Sequence, residues 1–496
     1  MTSTARVDPG RTYGNWRRPR SAGFYGQSAA TTYAGIGALV LALLALMLVG
    51  ILAGVIVGVG ALVLLAPLLL RVNGRTAYQA GALRWQWARQ KRRRAHLYRS
   101  GPLSATPGGT HRLPGVLAAT TLSEGQDAFG RTFGMIHLPK TAGYTVVLRA
   151  DPQGAALVEQ TQVDSWVGSW GHWLGNLGQT GDIVAAAVVI DTAPDSGERL
   201  RAEVLHLVRE DAPALAREIL TQTAQEYPSG SALVSARIAV TFKAATAERR
   251  RDPDEMAVEV GTRLPELYAS LRDAGLDATP MDGWAVAETV RLAYDPAAQQ
   301  DIDEARGTGA GAQVMWHDAG PAAHEERWGS YVHDSGVSVT YAMESMVSST
   351  VRDQVLRRLL EPHRDIARKR ITLIYRPHDA GDAATIVDRD HKDAIIAASR
   401  NGLVAAAADV ALEATTRARD EEARGAGVVR FSILMTTTVA DADQLRRTDA
   451  VLRTLAATAR LKVRPCYGYQ AAAFAAALGV GVLLPEHATI PGALAN

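Results

Sequence analysis

The sequence predicts an α+β fold in which an N-terminal two-helix transmembrane hairpin precedes tandem ferredoxin-like α+β units. Three observations lead to this prediction. Residues 21–70 contain no Asp, Glu, Lys or Arg. Beyond them the chain alternates strand-like and helix-like segments, and this alternation starts afresh after a Gly-rich stretch at 307–327. With 496 residues, the chain is long enough for an anchor and two or three further units.

The most apolar part of the chain, residues 33–70, is interpreted as two membrane-spanning helices. One crossing takes roughly 20 apolar residues, so this run is too long for one helix and about right for two. The turn is expected near residues 50–54, because Gly50 and Gly54 loosen the helix there. Residues 1–32 form a basic tail. The apolar run at 33–70 starts too late and is too long for a cleavable signal peptide. A buried hairpin in a soluble core is the alternative.

Basic residues flank this apolar segment on both sides. Up to Arg112 the chain has 15 Lys and Arg residues against a single acidic residue, Asp8. The positive-inside rule therefore predicts a multi-pass protein of the cytoplasmic (cell) membrane with both termini in the cytoplasm. Because the net charge of the whole chain is only +2, the remainder is acidic.

Residues 71–115 are expected to form a basic juxtamembrane helix and a linker. Interleaved aromatic and basic side chains indicate contact with anionic lipid headgroups. Nucleic-acid binding, the alternative, would need basic charge spread over a folded face. The predicted headgroup contacts are Arg71, Arg75, Arg84, Trp85, Trp87, Arg89, Lys91, Arg92, Arg93 and Arg94.

Two α+β units follow, at 116–306 and 328–496, with a linker at 307–327. In the first unit, strands are predicted at 144–149, 183–190 and 232–242, with a helix at 155–177. In the second unit, strands are predicted at 336–343, 370–375, 428–439 and 480–484. A long Ala-rich helix at 383–424 has a potential break at Asn401-Gly402.

No motif for catalysis, cofactor binding or metal binding is found. A P-loop needs Gly-Lys followed by Ser or Thr, and the chain has no Gly-Lys pair. Gly307, Gly309 and Gly311 do not follow a predicted strand, which favours a linker over a dinucleotide loop. The histidines between His317 and His333, His324 among them, lack the spacing of a zinc motif. The single cysteine, Cys466, excludes an internal disulfide framework.

Trp166, Trp170 and Trp173 follow one another at helical spacing. Such a face is a candidate docking surface for a partner, since tryptophan is enriched at interaction hot spots. Packing in the core is the alternative, because steps of three and four residues are also those of a buried helix face.

The layout resembles a family of actinobacterial integral membrane proteins that are encoded beside PrgI-like small membrane proteins and conjugation-type ATPases. The resemblance rests on Thr12 to Arg17, Val72 to Arg75, Tyr144 to Arg149 with the Trp-containing helix, and Gly468 to Pro485. The part after the hairpin also resembles the N-terminal, motor-less half of the VirB-type ATPase of type IV secretion. This resemblance implies that the motor is a separate polypeptide.

A second resemblance competes with the first. The EccE component of type VII (ESX) secretion has the same layout of two N-terminal helices and an α+β domain without an ATPase site.

The resulting hypothesis is a non-enzymatic, membrane-anchored scaffold subunit of a type IV-like, conjugation-related secretion or DNA-transfer apparatus. Its expected partners are anionic lipid, a separate P-loop ATPase and a small membrane protein of the same apparatus, in an oligomer without direct nucleic-acid contact. An EccE-like component of type VII secretion is the first alternative. A membrane-tethered envelope enzyme using the His317 to His333 loop is the second.

Overall fold

The computed structural model describes residues 29–69, 71–72, 75–102, 104, 111–154, 157–209, 211–226, 232–246, 249, 252–307, 311–346, 351–399 and 405–488. Most of the predicted N-terminal tail, including the motif at 12–17, lies outside them. The described residues divide into two compact units, 29–96 with 485–488, and 97–484.

The smaller unit begins with a pair of apolar helices. Helix α1 (Ala29–Leu48) and helix α2 (Ile51–Leu69) are separated by Val49 and Gly50, and Gly50 takes a φ of +119°. Gly54 lies against Leu46, where an added Cβ would come within 2.8 Å of the Leu46 Cβ atom. Strands β1 (Arg71–Val72) and β2 (Arg75–Thr76) pair next, and helix α3 (Ala77–Arg92) follows.

The predicted transmembrane hairpin is wrong. The apolar run does divide into two helices next to the predicted turn, at Gly50, and Pro67 lies inside the second helix near its end. In the part of the chain that the structure describes, no helix has both the length and the apolarity that a membrane crossing requires. The predicted multi-pass localisation in the cytoplasmic membrane, and the description of the chain as a transmembrane protein, are therefore wrong as well.

The larger unit has an α+β fold built on one antiparallel sheet, to which the described residues contribute thirteen strands. The elements of its first half run from Leu97 to Gly307, although the first strand, β3, pairs with a strand of the second half, at residues 323–325. The elements are β3 (Leu97–Arg99), β4 (Thr121–Gln126), β5 (Thr132–Leu138), β6 (Gly143–Pro152), α4 (Gln160–Asn176), β7 (Ile183–Pro194), α5 (Glu198–Leu207), α6 (Ala214–Glu226), β8 (Ala232–Lys243), α7 (Pro253–Asp273), β9 (Leu276–Pro280), α8 (Gly283–Tyr294) and α9 (Gln299–Gly307).

The second half repeats this pattern. Its elements are β10 (Ala323–Glu326), β11 (Tyr331–His333), β12 (Gly336–Met346), α10 (Arg357–Leu360), β13 (Arg368–Pro377), α11 (Ala380–Ala398), α12 (Ala405–Ala423), β14 (Val429–Val439), α13 (Leu445–Thr458), β15 (Leu461–Pro465) and α14 (Gln470–Ala477). Helix α15 (Leu484–His487) comes last, and its residues from 485 onward are assigned to the smaller unit. The strand predicted at 480–484 is absent, because Gly479 and Gly481 take positive φ values and the segment crosses the sheet as a loop.

Each half contains the β-α-β-β-α-β connectivity of a ferredoxin-like unit. The strands lie in the order β9-β6-β8-β7 in the first half and β15-β12-β14-β13 in the second. Both halves have a helical pair inserted between the strands that are second and third in chain order. In the first half α5 and α6 lie between β7 and β8, and in the second half α11 and α12 lie between β13 and β14. A β-hairpin precedes each ferredoxin-like unit and a helix follows it. The larger unit therefore consists of two copies of the same arrangement of elements, an internal structural repeat.

Side-chain details repeat as well. The hydroxyls of Thr145 and Thr241 are 2.9 Å apart, and the equivalent hydroxyls of Thr340 and Thr436 are also 2.9 Å apart. After the fourth strand of each ferredoxin-like unit the sequence reads Pro-x-x-Gly-aromatic, from Pro280 to Trp284 and from Pro465 to Tyr469.

The two halves share one sheet because β7 pairs with β13. Their register places Ile371 opposite Ile190 and Arg370 opposite Asp191. Since β7 and β13 are equivalent strands in antiparallel pairing, an approximate two-fold axis relates the halves.

The core follows from this arrangement. On one face of the sheet, a shared core joins both halves through residues such as Val147, Ala239, Leu434 and Phe474. On the other face each half has its own core, under α4 and α7 in the first half and under α10 and α13 in the second. Both faces are therefore covered by packed elements.

Candidate functional site

The basic residues of the predicted headgroup belt lie mainly on α3. Thr76 caps this helix and forms a reciprocal capping box with Gln79, so the local sequence fixes where the helix begins. Arg71 lies in β1, and its side chain is outside the described part. The remaining belt residues lie in β2, along α3 or in the turn after it: Arg75, Arg84, Trp85, Trp87, Arg89, Lys91, Arg92, Arg93 and Arg94.

The α3 surface combines cations with an exposed indole. The Trp85 side chain is 63% exposed, and the Arg89 guanidinium carbon lies 5.6 Å from the centroid of its ring. The Trp87 ring instead makes an edge-on contact with the His96 ring, with ring centroids 6.4 Å apart. Helix α3 contains no acidic residue. This arrangement suits an anionic surface, and the headgroup contacts stay a prediction.

The three tryptophans predicted as a docking face lie on α4. Trp173 is 2% exposed, and its indole N–H donates a hydrogen bond to the Leu267 carbonyl at 3.2 Å. Trp170 stacks on Trp173 with centroids 4.9 Å apart. Trp166 lies against Gly275, where a Cβ would come within 2.7 Å of the indole. This packing favours the core alternative over partner docking.

Of the three histidines considered for metal binding or catalysis, His324 and His333 lie opposite each other in the β10–β11 pairing, and both rings contact Tyr331. His317 is exposed, with Nε2 3.3 Å from the Asp318 carboxylate. His324 Nδ1 and the Tyr331 hydroxyl share a hydrogen bond of 3.0 Å, and His333 is fully buried. Among the described residues, no group of three His, Cys, Asp or Glu side chains is arranged to hold a metal ion.

His333 takes part in a buried polar chain that sequence reasoning missed. Its Nε2 lies 2.7 Å from the Ser338 hydroxyl, which in turn lies 2.7 Å from the Thr438 hydroxyl, and its Nδ1 lies 2.5 Å from the Tyr294 carbonyl. Burial lowers the pKa of His333 to about 4. A serine beside a histidine is also the geometry of a nucleophile and its base. Here both side chains are fully buried, so the pair stabilises the core.

Lys369 is another buried titratable group. Its ammonium donates a 2.6 Å hydrogen bond to the Glu361 carbonyl at the end of α10. Desolvation lowers the pKa of Lys369 to about 8. The contact with a helix-terminal carbonyl gives this lysine a capping role.

A second buried cluster lies where the two halves meet. Asp191 on β7 accepts hydrogen bonds from Arg237 Nη2 at 2.5 Å and from Arg370 Nε at 2.7 Å. Burial alone would raise the pKa of Asp191, but the two guanidinium groups hold it below its usual range. The sequence signal was an arginine inside each of the strands predicted at 232–242 and 370–375, and an aspartate directly after the strand predicted at 183–190.

A family model for a domain of unknown function, DUF8461, matches residues 20–79. This match covers α1, α2 and the beginning of α3, and leaves the larger unit outside it. Among curated proteins, none matches the chain.

Proposed function

We propose that the chain is a non-enzymatic scaffold subunit of a type IV-like, conjugation-related secretion or DNA-transfer apparatus, which docks a separate P-loop ATPase. The resemblance of the larger unit to the motor-less half of VirB-type ATPases supports this proposal. An EccE-like role in type VII secretion stays the alternative, and the partners recovered with the chain distinguish the two.

The observation that carries the docking proposal is a pair of helical insertions with exposed apolar side chains. Leu215, Ile219 and Leu220 are exposed on α6. Ile395 and Ile396 are exposed at the end of α11. The two insertions occupy equivalent places in the repeat, although α6 is the second helix of its pair and α11 the first of its own. Exposed apolar clusters of this kind are typical of surfaces that bind proteins. We therefore propose that these insertions contact the ATPase.

Affinity purification of the full-length chain from its native cells tests the docking. We expect a P-loop ATPase to be recovered with the unchanged chain and to be lost with Leu215→Glu/Ile219→Glu or Ile395→Glu/Ile396→Glu. Val258→Glu is the matched control, because Val258 is an exposed apolar residue on α7, outside both insertions. Recovery of ESX core subunits instead would support the alternative. Absence of any P-loop ATPase would contradict the docking proposal.

The basic helix α3 is the second contact that we propose, with anionic lipid headgroups as its partner. This contact needs only surface adsorption, to which each Lys or Arg near the lipid contributes about 1 kcal/mol. Sedimentation with phosphatidylserine vesicles, compared with phosphatidylcholine vesicles, measures it. We expect Arg92→Gln/Arg93→Gln/Arg94→Gln to weaken binding to the anionic vesicles alone. Equal binding to both vesicle types would exclude the electrostatic contact.

A further inference from the structure

The outer strand of each β-hairpin carries a glutamate that caps the helix after its ferredoxin-like unit. Glu124 on β4 accepts a 2.8 Å hydrogen bond from the Gly283 N–H at the start of α8. Glu326 on β10 accepts a 3.0 Å hydrogen bond from the Ala471 N–H in the first turn of α14. The two glutamates therefore mark equivalent positions, and β4 and β10 are equivalent strands of the repeat.

The two outer strands differ in what lies along their outer edge. On β10, the three residues before Glu326 pair with β3. Tyr98 of β3 lies opposite His324 and stacks on it, with ring centroids 5.1 Å apart. On β4, which ends the sheet, the equivalent residues 121–123 pair only with β5 among the described strands. One edge of the repeat is therefore filled by an added strand, and the equivalent edge is open.

The open edge of β4 presents backbone groups of two residues. The Asp127 N–H donates across the hairpin at 2.9 Å, and the backbone groups of an antiparallel strand alternate in direction. Leu122, Glu124 and Gln126 therefore direct their N–H and C=O groups away from β5. Helix α7 covers the Gln126 carbonyl, since a Cβ at Gly261 would lie 2.5 Å from its oxygen. In the described part of the chain, the backbone groups of Leu122 and Glu124 have no hydrogen-bond partner.

We propose that the open edge of β4 pairs with β4 of a second copy of this chain, antiparallel and about a two-fold axis. One register uses all four free backbone groups, with Leu122 opposite Glu124 of the second copy and Ser123 opposite its own equivalent. A shift in one direction would place the two Glu124 residues opposite each other, which is unfavourable. A shift in the other direction would need the Thr120 N–H, which already donates to the Leu117 carbonyl. The edge is therefore self-complementary, as a two-fold dimer requires.

The strand and the fold both support a second copy as the occupant. Strand β4 contains no Lys or Pro, the residues that commonly protect an exposed edge. Its single charged side chain, Glu124, is bound to the start of α8. The two halves of the chain also join through antiparallel pairing of equivalent strands, β7 with β13. The proposed dimer extends this sheet through both copies and is independent of the proposed scaffold role.

Disulfide crosslinking of the purified full-length chain tests the register. Opposite residues of a non-hydrogen-bonded antiparallel pair have Cα atoms about 4.5 Å apart, within the range of a disulfide. We expect Ser123→Cys to give a covalent dimer as the main species after oxidation with diamide. Thr121→Cys is the matched control, because Thr121 is more exposed on the same strand. Its two copies would lie about 14 Å apart along the strand. The natural cysteine, Cys466, is fully buried and should form no dimer.

Leu122→Pro tests the backbone pairing separately. It removes an N–H that points away from β5, and therefore one hydrogen bond to the second copy from each chain. We expect sedimentation equilibrium to show dimerisation weakened at least about tenfold. Circular dichroism and the melting temperature show whether this variant folds, and the cysteine variants decide the question if it does not.

Three results would overturn the proposal. The first is the absence of a covalent dimer in Ser123→Cys. The second is a dimer in Thr121→Cys as abundant as that in Ser123→Cys, which would reflect random collision. The third is crosslinking of Ser123→Cys to a different protein in native cells, which would assign the edge to a partner's strand.

Discussion

At the scale of single residues, Trp173 shows how far burial outweighs a helical pattern of tryptophans. Its side chain fills the core under α4 and its indole N–H has a carbonyl partner. We expect Trp173→Ala to lower the free energy of unfolding by about 3–5 kcal/mol, the usual cost of emptying an aromatic site. Trp284→Ala, at a 40% exposed tryptophan on α8, should cost much less. Urea denaturation measures both, and equal losses would contradict the core assignment of Trp173.

The buried His333 makes stability depend on pH. Its pKa of about 4 in the folded state lies below the value of about 6.5 of an exposed histidine. As pH falls below about 6.5, the unfolded chain binds a proton that the folded chain does not, so stability decreases until the pH reaches about 4. The full effect is on the order of 3 kcal/mol.

Urea midpoints between pH 7 and pH 4.5 measure this effect. We expect the midpoint to fall with pH in the unchanged chain, and to fall less steeply in His333→Gln, which has no imidazole to protonate. His324, whose pKa is also lowered to about 4 by burial, maintains part of the slope. An unchanged slope in His333→Gln would show that other groups cause the acid sensitivity.

At the scale of elements, the turn between α7 and β9 depends on Gly275. Its φ is +73°, and an added Cβ would come within 2.7 Å of the Trp166 indole. The equivalent residue in the second half, Arg460, also has a positive φ, +57°. The backbone conformation is therefore a property of the repeated element, while the close contact with Trp166 belongs to the first half.

Gly275→Ala tests this distinction. We expect a loss of about 1 kcal/mol from the left-handed backbone and a further loss from the displaced indole. Gly130→Ala is the matched control, because Gly130 has a φ of +76° and open space where the Cβ would lie. The difference between their melting temperatures measures the clash. Equal losses would mean that Trp166 moves aside without cost.

At the scale of the whole molecule, the β7–β13 pairing and the shared core predict that the larger unit unfolds as one. Leu264 is fully buried in the core of the first half and Leu452 in that of the second. We expect Leu264→Ala and Leu452→Ala each to cost about 2–5 kcal/mol and to shift the same calorimetric transition. Two transitions, each shifted by only one of the substitutions, would show that the halves unfold independently.

The sequence alone indicated much of the local structure of this protein. The alternation of β-branched and small residues placed strands where β6, β7, β8, β13 and β14 lie, because this period depends only on neighbouring residues. The uncharged run at 21–70 indicated a helical pair for the same reason, since glycine and apolar side chains act locally. Composition alone did not decide whether these helices meet the length and apolarity of a membrane span, and that prediction was wrong.

Only the tertiary structure decided which segments meet. The pairing of Ile371 with Ile190 and the convergence of Arg237 and Arg370 on Asp191 join residues that lie far apart in the chain. A local sequence pattern does not predict such contacts, because their free energy depends on the packing of both halves at once. The sequence did predict two α+β units in series, but not that their strands join into one sheet. The local hydrophobic period therefore determined the elements, and non-local pairing determined the shared sheet, the buried histidine and the cluster around Asp191.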